Sequence, residues 1–291
     1  MTIEVRKFSD REQYLHQRYE DFKKEEGAVS RVYTDSKGIP TVGIGYALLV
    51  RNRGVFSERP GWVPDMKAAG VAVTEAQVTA AHEMLTEIRD ILNGGGSDAV
   101  ARAQAVINPW QAGEDSAAHN SIGLPLLDET QMETLFNRVV VSYRDILAGK
   151  IGESLVEQWD QSWELIALLS LTYNNPGLIG PGLKGALTNG NRAEAWYQIR
   201  QNSNGGRSNG IAKRRYFEAY TFGLYNDAGD VSREEGEAVL AMYAQRKTRI
   251  DSYETQFSAL IPTANRDYGL TSPGVILTLE ESLAPARAAV Q

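Results

Sequence analysis

The chain contains no cysteine among its 291 residues. This absence excludes a disulfide framework, a thiolate nucleophile and a cysteine-ligated metal centre. Histidine is also scarce, and His16, His82 and His119 lie far apart in the sequence. A metal site built from them is not expected, and nothing in the sequence calls for another cofactor.

The chain also lacks an excess of positive charge, because 30 Lys and Arg against 37 Asp and Glu give a formal charge of −7. Bulk charge therefore does not steer it to nucleic acid or to anionic membranes, and a polymer partner must be bound by local contacts. No apolar run is long enough to span a bilayer, and residues 1–7 lack the apolar segment of a secretory signal. We expect a protein made in the cytoplasm and not inserted in a membrane.

The hydrophobic residues, 42% of the chain, are patterned mostly for helices. Capping residues predict helix starts at Ser9, Thr74, Asp128, Asn191 and Ser232. The segment from Trp163 to Tyr173 is apolar almost all round, which predicts a buried central helix. Residues 47–73 and 108–127 are predicted as loops, residues 98–107 as a further helix, and residues from 261 onward as an irregular tail.

Two carboxylates eight residues apart are the most informative feature of the first fifty residues. The helix that begins near Ser9 has an apolar face that ends at Glu26, and Gly27 is a natural C-cap. Asp35 lies in a turn between two short predicted strands, and Thr41 opens the second strand. Gly43 and Gly45 leave one face of that strand bare, which suits the close approach of a backbone or a ligand.

Each carboxylate has an ordinary structural explanation when it is considered alone. Glu26 fits a solvated glutamate at a helix end, and Asp35 fits a turn residue. Taken together, two carboxyl groups in surroundings of different polarity can play different acid–base roles, as glycoside hydrolysis requires.

A second group of candidates lies in the later helices. Tyr173 and Asn174 end the predicted central helix, where polar groups either face a cleft or cap the helix end. Arg214 and Arg215 belong to the most basic neighbourhood of this acidic chain. That neighbourhood fits either a solvated helix face or a local contact with a polar or anionic polymer.

The motif around both carboxylates resembles that of the phage T4-type lysozymes, glycoside hydrolase family 24. The shared pattern is Glu26-Gly27, Tyr33-Thr34-Asp35, Gly38 and Thr41-Val42-Gly43-Ile44-Gly45, without a gap. The resemblance extends over residues of roughly 10–50 and 125–225. It does not cover about 50–125, which is much longer than the corresponding part of the phage enzyme, or the segment after Tyr225. The phage enzyme has His where this chain has Tyr46, so local packing and pH stability are expected to differ.

The resemblance implies hydrolysis of the β-1,4 bond between N-acetylmuramic acid and N-acetylglucosamine in peptidoglycan. By carry-over, Glu26 is the general acid, and Asp35 with Thr41 orients the attacking water. Tyr173, Asn174, Arg214, Arg215 and Gly43 are the expected substrate-binding residues. A carboxyl separation of roughly 6.5–9.5 Å, which leaves room for water, would give inversion, and inversion is the expected outcome.

The expected fold is α+β, predominantly α, with a small β-hairpin lobe and a helical lobe of lysozyme type on either side of a cleft. The expected organisation is an N-terminal lobe (1–127, with the insertion at about 50–125), a linking helix (128–149), a helical lobe (150–260) and a C-terminal extension (261–291). The expected partner is the peptidoglycan glycan strand.

Two other functions remain open at this point. A lytic transglycosylase cleaves the same bond without water, and it does not require Asp35 or Thr41. A wall-binding protein on an inactive lysozyme scaffold would need none of the three residues. Delivery is open as well, because a phage endolysin and an injected antibacterial effector with a cognate immunity protein would both lack a signal peptide.

Overall fold

The computed structural model describes residues 3–111 and 124–291. The protein is mostly helical with a small antiparallel sheet component, which confirms the α+β, predominantly α class. The chain forms two compact units. The first, called here the sheet-containing unit, consists of residues 19–139. The second, the helical unit, consists of residues 1–18 and 140–291.

A three-stranded antiparallel sheet forms the start of the sheet-containing unit. Its strands are β1 (Val29–Thr34), β2 (Pro40–Gly43) and β3 (Tyr46–Ala47), in that order across the sheet. Thr41 pairs with Tyr33 on one side and with Ala47 on the other. Directly opposed residues in a sheet point to the same face, so Tyr33 and Thr41 share one face of it.

The predicted loop at residues 47–73 is wrong. These residues form the hairpin of β4 (Leu49–Asn52) and β5 (Val55–Glu58), followed by helix α2 (Trp62–Ala68). Arg53 and Gly54 both take positive φ, 47° and 91°, at the turn of the hairpin. Such two-residue turns match the twist of paired strands, and the Asn-Arg-Gly sequence was the available signal for one.

Two further helices complete the insertion, α3 (Glu75–Gly94) and α4 (Ala99–Gln111). The predicted capping box at Thr74 is confirmed, because Thr74 and Gln77 each accept the other's backbone N–H. The helix predicted at residues 98–107 is also confirmed. The loop predicted at 108–127 is wrong at its start, where α4 continues to Gln111, and residues 112–123 lie outside the described residues.

Helix α1 (Arg11–Glu26) and helix α5 (Glu129–Ile151) each contribute residues to both units. The side chain that caps α1 is that of Asp10 rather than Ser9, and its Oδ2 accepts the Gln13 N–H at 3.1 Å. Asp128 caps α5 as predicted. Within the sheet-containing unit, Phe22 of α1 packs on Phe136 of α5 with ring centroids 4.9 Å apart.

The helical unit is built from eight further α-helices among the described residues. They are α6 (Glu153–Gln158), α7 (Trp163–Asn174), α8 (Pro181–Thr188), α9 (Arg192–Arg200), α10 (Asn209–Phe222), α11 (Arg233–Phe257), α12 (Ile261–Asp267) and α13 (Leu279–Val290). Helix α7 is the predicted buried helix, with Leu165 to Thr172 all buried. The predicted caps at Asn191 and Ser232 are confirmed.

The irregular tail predicted from Ile261 onward is wrong, because most of it is helical. Helix α12 joins α10 and α11 in an apolar core that includes Phe217, Phe257 and Ile276. Helix α13 packs along α11, and a capping box between Thr278 and Glu281 begins it. The C-terminal segment is therefore an integral part of the helical unit.

No helix in the described part of the chain is both long and apolar enough to cross a membrane.

Candidate active site

Glu26 is the last residue of α1, in the sheet-containing unit. Gly27 follows with φ +73°, and its N–H donates to the Lys23 carbonyl at 2.9 Å, so the predicted C-cap is confirmed. The apolar surroundings expected for Glu26 are not found. Its side chain is exposed, whereas Phe22, one turn earlier, is fully buried. The chain leaves the helix at Gly27, so no later turn of α1 covers the carboxyl group.

Asp35 is held by a tight turn between β1 and β2. Its Oδ1 accepts the backbone N–H groups of Lys37 and Ile39, both at 2.8 Å. The main chain closes the same turn, since Asp35 N donates to the Ile39 carbonyl at 3.0 Å. The half-buried carboxylate is thus fixed in direction by two amide donors, which is the arrangement of an Asx turn.

Thr41 is connected to this turn through a single residue. Its buried side-chain hydroxyl donates to the Ile39 carbonyl at 3.0 Å, and Ile39 is the residue whose N–H binds Asp35. Asp35 and Thr41 are therefore coupled by hydrogen bonds through Ile39.

Tyr33 brings both carboxylates into one neighbourhood. Burial raises the pKa of its phenol, and the negative charges of Asp35 and then Glu26 raise it further, while a hydrogen bond from the Gly45 backbone N–H lowers it. Electrostatic effects of this kind require nearby charges. Asp35 and Glu26 thus both influence the phenol of Tyr33, and the backbone of Tyr33 pairs across the sheet with Thr41.

The face that Gly43 leaves bare is approached closely, as predicted, but by helix α5 of the same unit. It is buried, and a Cβ added to it would lie 3.7 Å from Cγ of Met132 in α5, an ordinary van der Waals contact. The face of Gly43 is therefore covered by a side chain of the same unit. Its φ of +63° explains why glycine is found here, because that conformation disfavours other residues.

Tyr46, which departs from the family pattern, is part of a polar contact with α2. Its hydroxyl donates to Oδ2 of Asp65 at 2.6 Å, and Arg138 binds Oδ1 of the same carboxylate at 2.8 Å. Burial and this hydrogen bond raise the pKa of the Tyr46 phenol. The Tyr46 phenol therefore stays uncharged near neutral pH.

Tyr173 and Asn174 lie in the helical unit, at the end of α7. Tyr173 is half-buried, and its ring centroid is 4.6 Å from that of Tyr143. Asn174 is exposed, and its Oδ1 accepts a hydrogen bond from Arg215 Nη2 at 2.5 Å. The side chain that caps the next turn is that of Asn175, so Asn174 has a different role from the simple cap considered above.

Arg214 and Arg215 are not the solvent-facing cations that the sequence suggested. Both are buried, and both bind the carboxylate of Glu218, which is itself only 1% exposed. Arg214 also donates to Ser170, and Arg215 to the Ser203 carbonyl at 3.2 Å. Both guanidinium groups share the one carboxylate of Glu218 inside the unit, and the contact of Arg215 with Asn174 makes Arg215 a residue that positions an exposed amide.

Among the described residues, no group of three or more His, Asp or Glu side chains could hold a metal ion. The chemistry available at Glu26, Asp35, Thr41 and Tyr33 is that of carboxyl and hydroxyl groups.

No protein-family model matches this sequence, and comparison with curated proteins and with solved structures gave no significant match either.

Tyr33 belongs to the motif around both carboxylates but was not among the residues predicted for the site. The available signal was strand pairing: the short connection between β1 and β2 places Tyr33 opposite Thr41. For Arg215, the signal was Glu218 three residues later on the same helix, a spacing at which side chains meet.

Proposed function

We propose that the protein is a peptidoglycan hydrolase of the muramidase type, which cleaves the β-1,4 bond between N-acetylmuramic acid and N-acetylglucosamine. The observation that carries this proposal is the turn that fixes Asp35 through two backbone donors and connects it through Ile39 to Thr41. The electrostatic influence of both Asp35 and Glu26 on the Tyr33 phenol supports it.

In the proposed reaction Glu26 donates a proton to the glycosidic oxygen, and Asp35 with Thr41 orients a water molecule for attack on the anomeric carbon. Oδ1 of Asp35 is bound by the turn, so the proposal assigns Oδ2 to the water. Attack by water from the face opposite the leaving group gives inversion.

The exposure of Glu26 has a consequence for this mechanism. A general acid must carry its proton when it reacts, and water solvates the charged form of a carboxyl group. The proposal therefore requires bound glycan to exclude water from Glu26 during catalysis.

The proposed partner is the glycan strand of peptidoglycan. Asn174 and Tyr173 are the proposed contacts from the helical unit, with Arg215 holding the Asn174 amide in position. Arg214 and Gly43 are assigned to packing rather than to substrate, because the first is buried in an ion pair and the second is covered by Met132.

The direct test is Glu26→Gln, which keeps the shape of the side chain and removes its acidic proton. General acids contribute about 10²–10⁴-fold to rate, so clearing of a peptidoglycan suspension is expected to fall by that factor while wall binding persists. Glu20→Gln is the matched control, because Glu20 lies on the same helix in an ion pair with Lys23 and is expected to leave clearing unchanged. Full clearing by Glu26→Gln would remove Glu26 from the mechanism.

Product analysis separates hydrolysis from the transglycosylase alternative. Mass spectrometry of the released muropeptides is expected to show reducing ends, and NMR of the first product is expected to show the inverted anomer. A 1,6-anhydro end would instead identify a lytic transglycosylase. Wall binding without any cleavage by the native protein would identify a binding protein on an inactive scaffold.

Two routes to the wall fit the proposed activity, release as a phage endolysin or injection as an antibacterial effector. The neighbouring genes discriminate between them: a holin gene indicates the first, and a gene for an immunity protein indicates the second.

A further inference from the structure

The long insertion packs directly on the turn that holds Asp35. Helix α4 lies against β1, and Gly38, in the turn, is buried beneath it. A Cβ added to Gly38 would come 3.2 Å from Cβ of Ala103 and 3.4 Å from Cδ2 of Leu92. Ala103 is fully buried, so helix and turn are in close contact at this point.

Gly38 stands between the two backbone groups that bind Asp35. Lys37 N and Ile39 N, its neighbours on either side, both donate to Oδ1, and Gly38 N donates to the Asp35 carbonyl at 3.0 Å. A displacement of Gly38 would therefore move both donors at once. The direction of the Asp35 carboxylate depends on where the turn is held.

Helix α4 is itself held by helix α3, whose Leu92 also reaches Gly38. It packs on α3, and α3 is tied to the β4–β5 hairpin by the side chain of Asn93. The Asn93 amide accepts the Phe56 N–H at 2.8 Å and donates to the Phe56 carbonyl at 3.0 Å, as a neighbouring strand would. The hairpin, α3 and α4 thus form one connected support behind the turn.

We propose that the insertion sets the position of Asp35, with Ala103 of α4 as a positioning residue that acts through Gly38. The inference rests on the proposed function for its catalytic meaning. In this proposal the residues of the insertion contribute to the reaction, because they fix the Asp35 carboxylate that orients water.

The test enlarges the contact between α4 and the turn. Ala103→Leu adds bulk directly against Gly38, and misplacement of a reacting group by about 1 Å can cost about 10²-fold in rate. We expect kcat to fall about ten- to hundredfold with KM unchanged, because Asp35 orients water and does not bind the sugar. Hydrogen exchange of the Lys37 and Ile39 amides is expected to become faster in the same variant.

Ala105→Leu is the matched control, since Ala105 is exposed on the same helix two residues later. It introduces the same side chain into the same helix and is expected to change neither kcat nor the two amides. If Ala103→Leu does not fold, Ala103→Gly with Ala105→Gly as its control tests the contact by removal. The expected sign of the exchange effect is the same, because the turn then loses its support.

The outcomes separate this inference from the proposed function. The positioning role alone is overturned if the native protein cleaves peptidoglycan through Glu26 but the Ala103 variants change neither kcat nor the exchange of the two amides. Absence of cleavage by the native protein overturns the proposed function. In that case the exchange of Lys37 and Ile39 still decides whether α4 holds the turn.

Discussion

At the scale of single residues, Tyr33 is a group of the candidate site whose pKa is shifted by its surroundings. Its phenol is affected by burial and by two carboxylates, and all three raise its pKa above the ordinary value of 10.0. A phenol with a raised pKa stays neutral throughout the range in which an acid–base pair of carboxyl groups works. Tyr33 can therefore donate a hydrogen bond in the site but does not serve as a titrating base.

Tyr33→Phe tests this assignment. We expect kcat to fall no more than about tenfold, since one neutral hydrogen bond is worth about 1 kcal/mol. The shape of the pH–rate profile below pH 9 is expected to stay unchanged, because the raised phenol pKa lies above that range. The measurement is kcat/KM for the native protein and the variant between pH 4 and 9. Loss of one limb of the profile would show that Tyr33 titrates in the reaction.

Arg214 and Arg215 show what residue type alone does not reveal. A run of basic residues on a helix predicts either solvent exposure or a polymer contact, whereas Arg214 and Arg215 are buried. The deciding residue is Glu218, whose buried carboxylate binds both guanidinium groups. Burial of a paired charge depends on the tertiary neighbours Ser170 and Ser203, which sequence spacing does not supply.

At the scale of elements, helices with strong local signals were predictable and elements fixed by distant packing were not. The capping boxes at Thr74 and Ser232 are local hydrogen bonds within four residues, so the sequence contains their full cause. The β4–β5 hairpin is short and largely exposed, and Asn93 of α3 supplies part of its pairing from far along the chain. Within the candidate site, the Asp35 turn was predictable, and a solvated Glu26 was one of the two explanations that the sequence allowed, whereas the cover over Gly43 by Met132 was not predictable.

Helix α13 was missed although its capping box at Thr278 and Glu281 is a local signal, and it also shows a tertiary cause. Pro285 lies inside it, and proline normally ends a helix because it lacks an N–H and crowds the preceding turn. Tyr225, from the segment after α10, accommodates the irregularity. Its hydroxyl donates to the Ser282 carbonyl at 2.8 Å and accepts the Ala286 N–H at 3.3 Å, bridging a donor and an acceptor four residues apart.

This bridge predicts a loss of stability at alkaline pH. Burial raises the pKa of Tyr225 to about 12, against 10.0 for an unperturbed tyrosine. Because the folded-state pKa is the higher one, the contribution is fully present below about pH 10 and disappears as the pH rises towards 12. Tyr225→Phe is expected to make the free energy of unfolding fall less steeply with pH, by at most about 1.4 kcal/mol per pH unit. Urea unfolding between pH 9 and 12 measures it, and equal slopes for both proteins would contradict the assignment.

At the scale of the whole molecule, the helical unit is assembled from two separate stretches of the chain. Glu164, fully buried in α7, binds Arg6 from the first stretch at 2.9 Å and Arg192 of α9 at 3.0 Å. Arg192 also donates to the Phe222 carbonyl at the end of α10. One carboxylate thus connects the N-terminal segment with three helices.

Glu164→Gln is expected to destabilise the protein by about 3 kcal/mol, because it leaves buried guanidinium charge without its counter-ion. Glu153→Gln is the matched control: it makes the same change in the first turn of α6, where the ion pair with Arg144 is exposed. For Glu153→Gln we expect the free energy of unfolding to fall by less than about 1 kcal/mol. Chemical denaturation of both variants at neutral pH gives the comparison. Equal losses would show that the buried network contributes no more than a surface pair.

Because the helical unit is built from two separate stretches of the chain, the two units become able to fold at different times during synthesis. The sheet-containing unit is continuous in sequence, so all of its residues have been synthesised once residue 139 is added. Arg6 is made before its partners in the helical unit, Glu164 and Thr221. At about 5–20 residues per second, the ribosome adds Thr221 roughly 10–45 s after Arg6. Arg6 therefore leaves the ribosome long before its binding site exists, and the helical unit cannot close until Thr221 has been added.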